Sequence, residues 1–427
     1  MDVRTKALME FLDGAHSVFH AVAGIEKVLQ ENGYTCLQEQ DNWGLIHGGK
    51  YYVTRGGSAV IAFAVPEGEF KGFLMSASHA DRPTFKVKEN GEQVGAYTRL
   101  LVERYGGMLM APWFDRPLSI AGRVLVETEE GVCSKLVDID RDLLMIPNVA
   151  IHMNRKANDG YAYNPAVDLL PLLGGKDAKG KLNALLEQEA GGKILGHDLY
   201  LYIRENARVW GVGEEYLSAQ AIDDLECAWC CTQGFLKAKP AGSMPVLCVF
   251  DSEEVGSSSL QGAASNLLES VLRRICDSLQ LEYDQALAQS MMVSADNAHA
   301  IHPNHPEYAD AANAPVMGGG IVIKYNANQR YTTDGVTAAL FRKVCQQAQV
   351  PVQTYYNRAD LPGGSTLGNI SLSHVSVPSV DIGLPQLAMH SCYETAAVQD
   401  ALCLEEAMAV YYSSTLECKN GSTFCLK

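Results

Sequence analysis

A chain of 427 residues, 47% hydrophobic and 20% charged, exceeds one typical domain and can bury a large core. Its net charge of −16 argues against nucleic acid and anionic membranes as partners, since both need a basic surface. No run approaches the ~20 apolar residues that cross a bilayer, and no signal-peptide pattern follows Met1. Twelve cysteines spread along the chain do not form the dense framework of a small secreted domain, so a reducing cytoplasm is the expected compartment.

In chain order, Ala7 to Gly33 predicts an amphipathic helix with Val18, Val22, Ile25 and Leu29 on its apolar face and Asn32-Gly33 as a stop. Alternating runs at 49–54 and 59–65 follow, joined by Gly56-Gly57, and then an apolar run at 72–78 that ends at His79-Ala80-Asp81. From 93 to 219 the texture is short strand-like runs and turns, interrupted by one helical pattern at 181–189. From Ala221 apolar runs at 245–250, 290–295, 321–325 and 377–383 alternate with helical patterns at 257–280, 335–348 and 394–416. This predicts an α/β fold with a central mixed sheet flanked by helices, formed by 1–92 and 220–427, and a β-rich domain inserted at 93–219. Cys227-Ala228-Trp229-Cys230-Cys231 contains a C-x-x-C, but in helical surroundings with no second pair it predicts buried free cysteines.

Polar residues cluster at the ends of the apolar runs. His79 follows one, Asp296 closes Met291 to Ala295, His390 closes Pro385 to Met389, and Glu253-Glu254 follow Pro245 to Phe250. Asp223 stands just before a helical pattern, where an N-cap role is equally open. Ligands at that edge of an α/β sheet meet substrates. Two imidazoles and three carboxylates suit zinc, cobalt or manganese, and can hold two ions if one carboxylate bridges. Such a centre activates water for hydrolysis. Each residue alone has a structural reading as well, and spacing does not show that they converge.

The motifs resemble the aspartyl aminopeptidase family, within the clan of co-catalytic zinc exopeptidases. The matching blocks run nearly end to end: Ser78–Pro83, Tyr105–Ser119, Ile146–Arg155, Phe250–Ser257, Ser294–Ala300, Lys324–Tyr331 and Leu387–Ser391. The resemblance implies a metal-dependent aminopeptidase acting on peptides with acidic N-terminal residues. It implies two divalent ions per subunit, zinc first, with His79, Asp223 and Asp296 on one, Asp223, Glu254 and His390 on the other, and Asp223 bridging. Glu253 matches the general base, Asp81 the carboxylate that orients His79, and His152 an oxyanion-stabilising residue donated by a partner subunit. Lys324, Tyr331 and His299 match the pocket for the acidic side chain. The family assembles as a dodecamer built from dimers, with the inserted domain at the contacts.

Two blocks depart from the family pattern. Ala221-Ile222-Asp223-Asp224-Leu225 replaces Arg-Leu-Asp-Asn-Leu, and Arg82 stands in an Ala-Asp-Arg-Pro block where Thr-Asp-Ser-Pro is usual. Neither removes a ligand. A neutral aminopeptidase or deacylase of the same clan, or a non-enzymatic shell or cargo protein with a relic metal site, is the alternative. His299, His302 and His305 recur every three residues, but Pro303 and Pro306 break any helix that would align them. Gly363-Gly364-Ser365-Thr366 predicts a tight turn near the site.

Overall fold

The computed structural model describes residues 1–361, 363–364, 366–420 and 423–427. Nine strands form a mixed sheet in the order Thr35–Cys36, Lys50–Arg55, Ala59–Ala64, Met244–Phe250, Phe73–His79, Met291–Ala295, Ser379–Gly383, Ile321–Tyr325, Val352–Tyr356. The four central strands, from Met244–Phe250 to Ser379–Gly383, run parallel. Antiparallel neighbours flank them on both sides. Parallel strands need both faces covered, and these are buried along their whole length.

The period of two along each strand divides the core into two layers. Leu74, Leu247, Val249 and Val293 face one layer, which packs on the helices Val18–Glu31, Ile222–Lys237, Gly335–Ala348 and Val398–Ser413. Phe73, Met75, Val246 and Cys248 face the other, packed on the helix Leu267–Leu279. Cys227, Cys230 and Cys231 are buried, free and helical, as their surroundings predicted.

The expected helix from Ala7 to Gly33 is two helices, Val3–Gly14 and Val18–Glu31. The break has a local cause: Gly14 and Ala15 end the first, and Ser17 caps the second by accepting the N–H of His20. The pattern at 257–280 becomes helix only at Leu267. Tight turns occupy the preceding residues; a side chain at Gly262 would lie 2.1 Å from the carbonyl of Ser257. Residues 394–397 form a strand, Glu394–Ala397, and the last long helix starts at Val398.

A second sheet of six strands carries a third apolar cluster, onto which Leu182 and Leu186 of the helix Lys181–Ala190 pack. It begins with the strand Thr84–Val94, so the boundary expected at 92/93 falls inside a strand. A five-stranded sheet ties Arg208–Trp210 and Tyr216–Ala219 to Glu394–Ala397, Pro385–Leu387 and Ala298–His299. Among the described residues no helix is long and apolar enough to cross a membrane.

Burial holds the His20 imidazole down at about 4, against the pull of Asp138. The unfolded chain therefore takes up that proton first, and stability falls as pH drops from about 6.5 to about 4. His20→Asn should flatten that part of the pH profile by an amount on the order of 2–3 kcal/mol, measured by urea unfolding at a series of pH values.

Candidate metal centre

Strand register brings the first donors together. Phe250 pairs with His79, and Ser294 with Ala77, on either side of the strand Phe73–His79. His79, the turn Glu253–Val255 and Asp296 therefore emerge side by side at the carboxyl ends of parallel strands. Asp223 arrives from the start of the helix Ile222–Lys237, where its backbone is not helical and its peptide bond to Asp224 is cis. His390 follows the strand Pro385–Leu387. Four residues next to or within the donor segments, Ala221, Ser252, Ala388 and His390, hold left-handed backbones at φ 55, 65, 59 and 66°. For residues with a Cβ this costs about 1–3 kcal/mol each, a cost that clusters at functional sites.

The donors converge around Asp223. His79 Nε2 lies 3.5 Å from Asp223 Oδ1, and His390 Nε2 lies 3.5 Å from Oδ2 and 3.4 Å from Glu254 Oε2. His79, Asp223 and Glu254 form one group able to hold an ion, and Asp223, Asp224 and Asp296 another. The shared member is Asp223.

Neighbouring groups aim these donors. Asp81 accepts the N–H groups of Glu253 and Glu254 at 3.0 and 3.1 Å and the Tyr105 hydroxyl at 2.8 Å. Its carboxylate also lies 3.4 Å from His79 Nδ1. The Gly107 carbonyl sits 2.6 Å from His390 Nδ1, leaving Nε2 for the centre. Gly106 lets this loop pass close to Glu254: at φ 75° any side chain there would be strained, and its Cβ would lie 3.1 Å from that of Glu254. Glu394 accepts the N–H of Asp223 at 3.0 Å and that of His390 at 2.7 Å.

The electrostatics are those of negative charge crowded where a cation belongs. Burial opposes ionisation of Asp223, but His390 and His79 hold its carboxyl well below the usual range. Burial raises Glu254 well above it, with Asp223 adding to the rise. Glu253 is pushed up to about 8 by burial and by Asp296 and Asp81, against the pull of His79. Burial would lower His390, yet Asp223 lifts it to about 9. Asp223 Oδ1, Asp224 Oδ1 and Glu254 Oε1 are buried with no hydrogen-bond donor in the protein. Unpaired buried carboxylate oxygens beside imidazoles fit a divalent metal such as zinc.

Lys324 is buried beside Asp296, not free in a pocket. Its ammonium donates to the carbonyls of Asp296 and Asn297 at 2.7 and 3.3 Å and lies 3.7 Å from Asp296 Oδ2. The Tyr331 ring centre is 5.2 Å away. His299 is exposed on the wall of a cavity of about 480 Å³ that also includes Ala388 and Met389, the residues just before His390. His152 lies exposed on the turns at 150–160, outside the contacts that join the other donors. His302 and His305 are exposed, with ring centres 5.4 Å apart, and enter no metal-holding group among the described residues. Ser365 of the glycine-rich turn lies outside the described residues. The sequence singled out neither Glu394 nor any role for Tyr105 beyond its place in a matching block. Neither carries a local signal, because each acts on residues more than a dozen positions away or through backbone amides.

The family model described as "Aminopeptidase I zinc metalloprotease (M18)" matches residues 11–412. The "Probable M18 family aminopeptidase 2" of Clostridium novyi (strain NT) is 42% identical over 409 residues, covering 92% of this chain and 94% of that protein. Among solved structures, the chain resembles one from the Ape4 and Nbr1 complex at 34% identity and TM-score 0.92, covering 96% of this chain and 85% of that one. It also resembles the S. cerevisiae mApe1 dodecamer at 25% identity and TM-score 0.85, covering 96% of each.

Asp81→Asn would turn an amide N–H₂ toward donors that now meet a carboxylate. Zinc affinity should fall roughly 10- to 100-fold, and Tyr105→Phe, which removes one hydrogen bond, should cost less; competition with a chromogenic chelator measures both.

Proposed function

Because the chain belongs to the M18 family, and is thereby a zinc-dependent aminopeptidase, we propose that it removes acidic N-terminal residues, Asp or Glu, from peptides. His79, Asp223 and Asp296 would hold one divalent ion and Asp223, Glu254 and His390 a second, with cobalt or manganese as possible substitutes for zinc. Zinc at such a centre supplies a Lewis acid and a water of lowered pKa.

The chain's own groups do the rest. Glu253 takes the proton of the attacking water as the oxygen joins the scissile carbonyl carbon. It then delivers that proton to the amine as the carbon–nitrogen bond breaks. Asp81 fixes the backbone of Glu253 and Glu254 and the ring of His79. His152 comes from a neighbouring subunit and donates to the developing oxyanion; its exposure in a segment with Val149, Ile151 and Met153 also on the surface supports a contact between copies. The likeness to a dodecamer supports a homo-oligomer, whose contacts we assign to the six-stranded-sheet region, here taken as the inserted domain. Twelve free cysteines support a cytoplasmic location.

One observation carries the reading: His79 and His390 each lie 3.5 Å from Asp223, His390 lies 3.4 Å from Glu254, and Glu253 stands next to Glu254 on the same turn. Glu253→Gln should keep zinc and lose roughly 10²- to 10⁴-fold in kcat. Zinc content and steady-state kinetics on an Asp-peptide check this, and near wild-type turnover sinks the assignment.

A neutral aminopeptidase is the second reading, favoured by the engagement of Lys324 with Asp296 and Asn297. Asp-, Glu-, Leu- and Lys-peptides, each assayed with zinc, cobalt and manganese, separate the two. The acidic reading expects kcat/KM roughly 10- to 100-fold higher on Asp or Glu, the scale of one buried charge-assisted bond. Equal rates on Leu would favour the neutral one.

A further inference from the structure

Glu394 is 1% exposed, and its two oxygens accept the backbone N–H groups of Asp223 and His390. One carboxylate therefore fixes two donors that reach the centre from distant parts of the chain. Both segments need holding, since His390 and Ala221 are left-handed. Two N–H groups aimed at its two oxygens suit a carboxylate better than an acid, and a carboxylate so buried is stabilised by a nearby cation.

Arg82 is the cation placed to supply it. It is 8% exposed; Nη1 donates to the Ala15 carbonyl at 2.6 Å, while the buried Nη2 has no hydrogen-bond partner in the protein. Of the charges around Arg82, Glu394 most favours the protonated guanidinium, which burial opposes. Arg82 and Glu394 line one small cavity of about 10 Å³, together with Gln220, Ala221 and Asp223. That volume holds a single water. The two departures from the family pattern, Ala221 and Arg82, meet at this cavity.

We propose that Arg82 is the buried counter-charge of Glu394, linked to it through one water, and that the pair positions Asp223 and His390 to receive metal. The proposal rests on the reading of Asp223 and His390 as ligands. Arg82 and Glu394 are positioning residues and do not touch substrate.

The test is a double-mutant cycle on the full chain with Arg82→Met, Glu394→Gln and the double variant. Zinc is titrated against a chromogenic chelator, and urea midpoints are taken on metal-free protein. Asp223→Ala runs in parallel to check the ligand assignment itself. Each single variant should bind zinc roughly tenfold or more weakly and unfold at lower urea, because each leaves one charge buried alone. The double variant should lose less than the sum of the singles in both measurements, and Arg82→Lys should recover part of the loss. Additive losses, or wild-type zinc affinity in Arg82→Met and Glu394→Gln, would overturn the pairing. If Arg82→Met does not fold, the comparison of Glu394→Gln with Arg82→Lys decides, since a charge pair predicts a large loss in the first and a small one in the second. Retention of zinc by Asp223→Ala would instead overturn the ligand assignment, a result separable from failure of the pair.

Discussion

The centre is governed by electrostatic crowding. Asp223, Asp224, Glu254 and Asp296 are gathered in two overlapping groups that share Asp223, and the first three each keep a buried oxygen that meets no donor. Such a cluster cannot be stable as bare carboxylates at neutral pH, because each buried negative charge raises the cost of the next. Two imidazoles and one lysine offset part of it. A divalent ion offsets more, and does so with the directional bonds that the unpaired oxygens lack. Fold, backbone conformation and supporting hydrogen bonds all serve to hold this unfavourable arrangement together.

The sheet was legible because its chemistry is local. Apolar runs such as 245–250 and 321–325 announce buried strands without help from distant residues, and they are strands. Four of the candidate donors, His79, Glu254, Asp296 and His390, stood out for a related reason: each lies at or just after such a run, where the chain leaves the core, whereas Asp223 stands before a helical pattern. What the residues alone could not give was their convergence, which depends on strand order, and the resemblance supplied that expectation. The helix breaks at Gly14–Ser17 and before Leu267 turn on capping and tight-turn geometry that a smooth apolar period conceals.

The least legible residues act on backbone. Glu394 reads as an ordinary acidic residue at the start of a strand, yet its oxygens hold the amides of two donors. Asp81 does the same for Glu253 and Glu254. Amide acceptors of this kind leave no side-chain pair for sequence to display. Lys324 shows the converse. Its charge invites a role in substrate recognition, and its bonds to the carbonyls of Asp296 and Asn297, which the sequence does not announce, hold it beside the cluster.

The hydrogen bond between His390 and the Gly107 carbonyl spans 283 residues, and that between Asp223 and Glu394 spans 171. Closing such long loops is slow, and nothing rewards it until the strands between are in place. A ribosome-bound chain that has not yet released residue 394 therefore lacks both the last imidazole and the carboxylate that seats it.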